Sequence, residues 1–470
     1  MAARKSNCKL LRAGLCLMAF LIVGSPLCIR FSTHADVDDE LAHQPKSEYH
    51  SRRQRLMEQL KDGITVLIGA REDEFGEIGK FRQKNDFMYL TGVETPSAYL
   101  MLIPGGLIAD KPAQETLFIP PRNLFEEQWN GVQVGPGPEG EQRFGFPEVV
   151  GSDKFYARLF EALSSLSSAS SSGNVRPGTR VRLYTVMPTG SAATLTRESQ
   201  FVDVVRKAAP NVEIVSLEKP LGEMRKVKSP AEIRVLQKAI DITTEAESDA
   251  RSFIKPGLFE YQVQAVIESA FTRSGAERPG YPSIVGSGIN SCILHYNENR
   301  KKIDSGDLIV ADVGAEYSYY TADITRTFPA SGKFTQRQRD VYQLVLQAQR
   351  AAEQAFKPGQ TNLRQLYQAA AETMRSSPLR DKEGNTLDRY FIHGLSHWLG
   401  MDVHDVGDYA GTIPSGAVFT IEPGIYIPEE KLGVRIEDDY MATDTGLVKL
   451  SQKLPSDPDE VERLMAHRQN

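Results

Sequence analysis

Apolar residues in the first half of the chain form short runs separated by turn-forming residues. Runs of strand length occupy residues 64–68, 98–103, 117–119 and 181–186. Short apolar runs bounded by Gly, Pro and polar clusters are typical of buried strands. We therefore predict an α/β domain over residues 48–215. Within it, the serine-rich stretch 164–172 reads as a surface insertion that packs against nothing.

The second half has a helical pattern that occurs twice. Ser229, followed by Pro230 and Glu232, predicts the start of a strong helix. A helical stretch over 231–253 leads to Lys-Pro-Gly and a second helix, and 337–356 leads to another Lys-Pro-Gly and a further helix. Strand-like segments follow each pair, at 308–314 and 322–328 and then at 418–421 and 433–441. Two similar halves would leave a cleft between them.

These patterns divide the chain into six parts. The predicted division is a leader over 1–35, a linker over 36–47, a first domain over 48–215, an interdomain linker over 216–228, a second domain over 229–455 and a C-terminal tail over 456–470.

The first 35 residues have the features of a targeting segment. Four basic residues precede seventeen uncharged residues, 13–29, and small residues follow before Asp36. This order is typical of a cleaved signal peptide. As a helix the uncharged run would be roughly 25 Å long, short against a hydrocarbon core of ~30 Å. We expect an exported protein, periplasmic or secreted, with an uncleaved membrane anchor as the alternative. Cleavage would leave Cys292 as the single cysteine.

Composition excludes several classes of protein. The 470 residues are 40% hydrophobic and 25% charged, which is ordinary for a globular chain that buries a large core. The formal net charge is −6. Nucleic acid is therefore not an expected partner, because phosphate contacts require clustered positive charge.

Histidines concentrate in the second domain. Of the eight in the chain, four lie there, and three of those lie within twelve residues. The four are His295, His393, His397 and His404. Isolated histidines are often satisfied core residues, but this clustering favours a functional site. We expect a strand to carry His295, after a turn at 286–288.

Acidic residues of the same domain adjoin apolar runs. Asp312 and Asp323 would lie close together if the residues between them form paired strands and a turn. Glu422 ends one apolar run. Arg435 and Glu437 are two residues apart in another, so in a strand their side chains would point to the same side.

An inward-facing carboxylate is expensive unless something neutralises it. One interpretation is that the four acids lie at the ends of strands, where solvent surrounds them. The other is metal binding, because four carboxylates and an imidazole match two bridged divalent ions, with Mn, Co or Zn as candidates.

The sequence resembles the pita-bread metallopeptidases, and among them the aminopeptidase P group. The likeness runs in order from about 48 to 455. It is carried by segments 81–92, 293–296, 312–317, 320–329, 393–405, 422–424 and 435–438. The resemblance implies an N-terminal α/β domain followed by a C-terminal α+β domain with an internal pseudo-twofold repeat.

The resemblance also implies a metal-ligand set. Asp312 would hold one ion, Asp323 and Glu437 would bridge the pair, and His397 and Glu422 would hold the other. Manganese is the favoured metal, with cobalt or zinc as alternatives. A hydroxide shared by the two ions would attack the scissile carbonyl.

Further roles come from the same resemblance. Glu422 would help activate the nucleophile and move its proton, and His404 would stabilise the developing oxyanion. His295 and His393 would shape the subsite for proline and the residue beyond it, and Arg435 would orient this wall.

The implied activity is release of the first residue from peptides with proline in second position. The alternatives are prolidase, which cleaves only Xaa-Pro dipeptides, and a non-catalytic or metal-free relative on the same fold. A homo-oligomer is expected, and the leader is a candidate membrane tether.

Overall fold

The computed structural model of the chain describes residues 44–72, 80–108, 111–171, 181–187 and 196–466. The predicted leader 1–35 and nearly all of the linker 36–47 lie outside these residues. No helix among the described residues is both long enough and apolar enough to cross a bilayer. The α/β character predicted for the first domain is confirmed.

The first domain is built on a six-stranded mixed sheet. In chain order its strands are β1 (Gly63–Ile68), β2 (Tyr99–Ile103), β3 (Gln114–Ile119), β4 (Glu148–Gly151), β5 (Arg182–Thr185) and β6 (Glu213–Ser216). Their spatial order is β4-β3-β2-β1-β5-β6. β1 pairs antiparallel with β2 and parallel with β5. Its six residues are all buried, because apolar side chains cover both faces of the sheet.

Six α-helices accompany this sheet in the part of the first domain that the structure describes. They are α1 (Lys46–Gln59), α2 (Asn85–Thr91), α3 (Glu127–Asn130), α4 (Pro138–Phe144), α5 (Phe155–Ser171) and α6 (Arg197–Ala208). The predicted insertion at 164–172 is wrong, since α5 continues through it to Ser171. Leu163 and Leu166 are buried three residues apart on this helix, so the beginning of the stretch packs against the domain.

The segment predicted as the interdomain linker contains a packed helix, α7 (Glu218–Lys226). Leu217 and Leu221 are buried in an apolar core that also contains Leu56 and Leu100 of the first domain and Leu236 of the second. The two domains therefore share one continuous core.

The first half of the second domain begins with two packed helices, α8 (Pro230–Phe253) and α9 (Glu260–Arg273). The predicted capping box at Ser229 is present, with reciprocal bonds to Glu232. The strands that follow are β7 (Arg278–Pro279), β8 (Ile284–Ser287), β9 (Leu308–Val313), β10 (Ala315–Tyr317), β11 (Tyr320–Thr321) and β12 (Ile324–Pro329). They form two three-stranded sheets, β12-β9-β8 and β11-β10-β7.

The second half repeats this order. Helices α10 (Gln336–Ala355) and α11 (Leu363–Arg375) pack together. The strands are β13 (Val418–Ile421), β14 (Gly424–Ile427), β15 (Leu432–Arg435), β16 (Asp438–Thr443) and β17 (Gly446–Lys449), arranged as β13-β16-β17 and β14-β15. The two predicted helix pairs, each followed by strands, are thus both observed.

Two details of this half differ from the prediction. The single strand expected over 433–441 is two strands, because β15 pairs with β14 whereas β16 pairs with β13. The segment named as a tail contains α12 (Pro458–Ala466), whose Val461 and Met465 are buried against the second domain. The domain boundaries themselves stay predictions.

Candidate active site

A cavity of about 500 Å³ opens in the second domain, between its two halves. It brings together every residue singled out from the sequence for catalysis or metal binding. These lining residues are His295, Asp312, Asp323, His393, His397, His404, Glu422, Arg435 and Glu437. Apolar walls come from Pro282, Ile284, Leu294 and Val403.

Strand pairing places the acids. Asp312 lies on β9 opposite Thr325 of β12, so Asp323, just before β12, comes close to it as predicted. Glu437 lies between β15 and β16, and its amide donates to the Thr325 carbonyl at 3.1 Å. That bond joins the strands of the two halves at the cavity floor.

His397 links the acids around it. Its Nε2 lies 3.2 Å from Asp323 Oδ2 and 3.4 Å from Glu422 Oε1. Its Nδ1 contacts the Trp398 carbonyl at 3.1 Å, which fixes the ring and directs Nε2 into the cavity. Ligand atoms of Asp323, His397 and Glu437 all lie within 4.8 Å of one another.

The environment of Glu437 tests whether this set suits a cation. Its Oε2 accepts a bond from the Thr325 hydroxyl at 2.6 Å. Its Oε1 is buried and has no hydrogen-bond partner among the described residues. A buried carboxylate oxygen without a donor is unfavourable unless a positive charge faces it. Oxygen ligands with one imidazole are a set that divalent metals accept, so these residues fit metal ions.

Proton affinities reflect the crowding of negative charge. Burial raises the pKa of Glu422 to about 7, and the Asp323 charge adds to that rise. The pKa values of Asp312 and Glu437 are also raised, first by burial and then by the neighbouring acids. Burial alone would lower the pKa of His397, but its bond to Asp323 and the surrounding acids raise it to about 9. Bound cations would relieve this repulsion.

Tyr281 is a site residue that sequence reasoning missed. Its hydroxyl lies 2.7 Å from Asp312 Oδ1 and 2.6 Å from Asp323 Oδ1, so it donates between the two acids. Tyrosines commonly pack in cores, and nothing in the local pattern around Tyr281 distinguishes it from a packing residue.

Arg435 and Tyr426 build one wall of the cavity. Arg435 Nη2 donates to Asp312 Oδ2 at 2.5 Å, and Nη1 donates to the Tyr426 hydroxyl at 2.8 Å. The same hydroxyl lies 2.8 Å from His393 Nε2, and His393 Nδ1 lies 2.7 Å from the Gly394 carbonyl. Both ring nitrogens of His393 are thus engaged, which fixes its orientation. Tyr426 was also missed from the sequence.

The other two histidines face open space. His404 is exposed to the cavity, with its ring centroid 4.3 Å from that of His397. His295 lies in an exposed turn, so the prediction of a strand for it is wrong. The glycine-containing segment before it forms the end of β8 and a 3₁₀ turn, Gly288–Cys292.

Two family models match the chain. Residues 49–169 match the model described as the N-terminal domain of aminopeptidase P, and residues 234–444 match metallopeptidase family M24. Together they cover strands β1 to β4 of the first domain's sheet and every cavity residue described above.

Whole proteins match over nearly their full length. The chain is 35% identical over 445 residues to the Xaa-Pro aminopeptidase of Escherichia coli, covering 89% of this chain and 98% of that protein. The Xaa-Pro aminopeptidase of Haemophilus influenzae is 35% identical over 460 residues, covering 90% and 98%.

Solved structures agree with these matches. Zinc-substituted E. coli aminopeptidase P in complex with product superposes with a TM-score of 0.78 at 32% identity, covering 91% of this chain and 99% of that one. Proline aminopeptidase P II from Yersinia pestis gives 0.77 at 33%, covering 90% and 100%. The chain therefore belongs to metallopeptidase family M24, in its aminopeptidase P branch, with the N-terminal domain and the pita-bread catalytic domain of that branch.

Proposed function

We propose that this protein is a metal-dependent aminopeptidase that releases the first residue from peptides with proline in second position. The observation that carries the proposal is the convergence of Asp323, His397 and Glu437 ligand atoms within 4.8 Å, in a cavity walled by further histidines. The relatives with this architecture are named Xaa-Pro aminopeptidases.

Five residues would hold the metal ions. Asp312, Asp323, His397, Glu422 and Glu437 supply the donors. Divalent ions held there would supply Lewis acidity, which would lower the pKa of bound water and stabilise negative charge on the scissile carbonyl.

The remaining groups handle the substrate and the proton. Glu422 lies at the cavity surface beside His397, where its carboxyl can take a proton from attacking water and return it to the departing proline nitrogen. No hydrogen bond to the His404 ring is found in the described part of the chain, so its N–H is available to the carbonyl oxygen as charge develops. Arg435 holds Asp312 in place through their 2.5 Å bond.

The proline ring needs an apolar, well-shaped subsite because its tertiary amide offers no N–H for recognition. The fixed His393 ring, the exposed His295 and the side chain of Val403 border the same cavity. We assign the proline subsite to these three residues.

The assay is release of the first residue from Ala-Pro-Ala, with Ala-Ala-Ala and the dipeptide Ala-Pro as controls. We expect hydrolysis of the proline tripeptide to stop on chelation and to return on metal addition. Hydrolysis confined to Ala-Pro would indicate a prolidase instead. No hydrolysis of any Xaa-Pro substrate by metal-loaded protein would refute the proposal.

We also propose that manganese is the native metal. Four carboxylates and one imidazole make an oxygen-rich set, which suits Mn more than a thiolate-rich zinc site would. Metal-free protein reconstituted with Mn, Co or Zn tests this. Higher kcat/KM with Mn supports the assignment, and higher kcat/KM with either other metal overturns it.

We further propose that the protein is exported. Support comes from the basic, apolar and small-residue order of positions 1–35. Fractionation of the native host, with mass spectrometry of the N-terminus, tests this. A start near Asp36 outside the cytoplasm indicates cleavage, an intact membrane-bound N-terminus indicates an anchor, and full-length cytoplasmic protein refutes export.

A further inference from the structure

A single arginine joins three parts of the molecule. Arg225, near the end of the interdomain helix α7, is 3% exposed. Its Nη1 donates to Asp86 of the first domain at 2.8 Å. Its Nη2 donates to Asp402 at 2.7 Å and to Asp405 at 2.6 Å, both in the catalytic domain. The planar guanidinium holds these carboxylates in a fixed fork geometry, which the ammonium group of a lysine does not reproduce.

The two catalytic-domain partners of Arg225 flank a site residue. Asp402 and Asp405 lie on either side of Val403 and His404, so the arginine fixes both ends of that dipeptide. Asn85 of the first domain adds a bond to Asp402 Oδ1 at 2.7 Å. The loop that presents His404 is therefore held from outside its own domain.

Close packing accompanies these bonds. Lys228 Nζ lies 3.2 Å from Asp405 Oδ2, and both side chains are buried. A Cβ at Gly400 would lie 2.1 Å from that carboxylate oxygen, and one at Gly222 of α7 would lie 3.1 Å from the Gly407 nitrogen. Helix and loop thus meet backbone to backbone. Buried charges in such a contact are stable only when each keeps its partners.

The His404 ring has no comparable support of its own. Within the described ranges no hydrogen bond reaches its nitrogens, and its ring contact is with His397. The location of its N–H relative to the substrate therefore depends on the backbone of residues 402–405.

We propose that Arg225 is a positioning residue for His404. It fixes the position of the imidazole in the cavity. Through its bond to Asp86, that position also depends on how the first domain packs against the second. The kinetic part of this inference rests on the proposed aminopeptidase activity. Among the described residues, the side chain of Arg225 hydrogen-bonds to Asp86, Asp402 and Asp405 and to no residue that lines the cavity, so its effect on turnover is indirect.

A double-mutant cycle tests the coupling. Arg225→Lys keeps the positive charge but loses the planar set of guanidinium donors. We expect kcat for Ala-Pro-Ala to fall about tenfold and KM to change less. In a His404→Asn background the same change should lower kcat less than about twofold, because the group it positions is gone. If the fold losses in kcat of the two single variants multiply in the double variant, the proposal is overturned.

Arg82→Lys is the matched control. Arg82 also forms a forked pair across the domain boundary, with Glu316 at 2.9 and 3.1 Å, but it does not contact residues 402–405. We expect its effect on kcat, if any, to multiply with that of His404→Asn. If the Arg82→Lys effect instead vanishes in the His404→Asn background, any weakening of the contact between the domains would act through His404. That result would overturn the specific role of Arg225.

Hydrogen exchange tests the inference without using activity. Amides of residues 400–407 should exchange at least about tenfold faster in Arg225→Lys than in wild type or Arg82→Lys. Unchanged exchange there would overturn the proposal whether or not the peptidase assay succeeds. If Arg225→Lys does not fold, Asp402→Ala removes one of the same bonds at a carboxylate that is 46% exposed, and the same two outcomes apply.

Discussion

Replacing Arg326 with methionine should destabilise the catalytic domain more than any single surface change. Arg326 is fully buried on β12. It donates to the Asp438 carboxylate at 2.7 Å and to the carbonyls of Glu437 at 2.7 Å and Leu454 at 2.9 Å. One side chain thus binds the strand after Asp323 to the strand after Glu437 and to the C-terminal segment.

The magnitude follows from what the substitution leaves behind. Removing one partner of a buried ion pair typically costs about 3–5 kcal/mol. Asp438 keeps Ser451, Gln349 and Lys449 as partners, so its charge is not left bare. We therefore expect the lower end, about 3 kcal/mol. Lys449→Met removes a partly exposed cation from the same carboxylate and should cost about 1 kcal/mol or less.

Tryptophan fluorescence during urea unfolding measures both variants. The chain has two tryptophans, and Trp398 in the catalytic domain is fully buried while Trp129 is 77% exposed. The signal change therefore reports the catalytic domain. A loss below about 1 kcal/mol for Arg326→Met, or an equal loss for Lys449→Met, would refute this reasoning.

Three further outcomes are expected. Asp323→Asn should abolish calorimetric Mn binding and lower kcat/KM at least about a hundredfold, while the exposed Asp304→Asn should change neither; retained binding would contradict the ligand assignment. Burial by itself would raise the pKa of Asp405, but the positive charges of Arg225 and Lys228 outweigh burial and lower it. The stabilisation from ionised Asp405 is complete above the ordinary carboxyl pKa of about 4 and is lost as pH falls through the lowered value. Asp405→Asn should therefore reduce the fall of the unfolding free energy at acidic pH. An unchanged fall would contradict this. Burial raises the pKa of Cys292 to about 11, so mass spectrometry of its peptide should show alkylation at about pH 8 slowed on the order of a hundredfold by folding, and equal rates in urea would contradict it.

Local sequence signals predicted much of the fold. The helix starting at Pro230 was expected from its capping box, and the box is present. Asp312 and Asp323 were expected to lie close together, joined by two paired strands and a turn, and β10 pairs with β11 between them. Both inferences depend on residues near one another in the chain, where side-chain periodicity is informative.

The break between β15 and β16 could not be read from the sequence. Alternation continues through Ile436 and Glu437, yet the chain changes its pairing partner there, from β14 to β13. Partner choice is set by distant segments. The same break places the Glu437 amide on the Thr325 carbonyl, which carries this acid to the cavity.

Tyr281, Tyr426 and Arg225 were missed for a related reason. Each acts through polar atoms that meet residues outside its own helix or strand, such as Asp312 for Tyr281 and Asp405 for Arg225. Nothing about a tyrosine in a mixed segment, or an arginine in a basic helix, indicates such a partner. A buried hydroxyl or guanidinium becomes informative only when its acceptor is known.

The donors of the cavity are spread over more than a hundred residues, from Asp312 to Glu437. During synthesis Glu437 leaves the ribosome after the other four donors. A chain that ends before Glu422 contains Asp312 and Asp323 but lacks Tyr426, Arg435 and the other two acids, so its donor set is incomplete. A complete donor set therefore exists only once translation has passed Glu437.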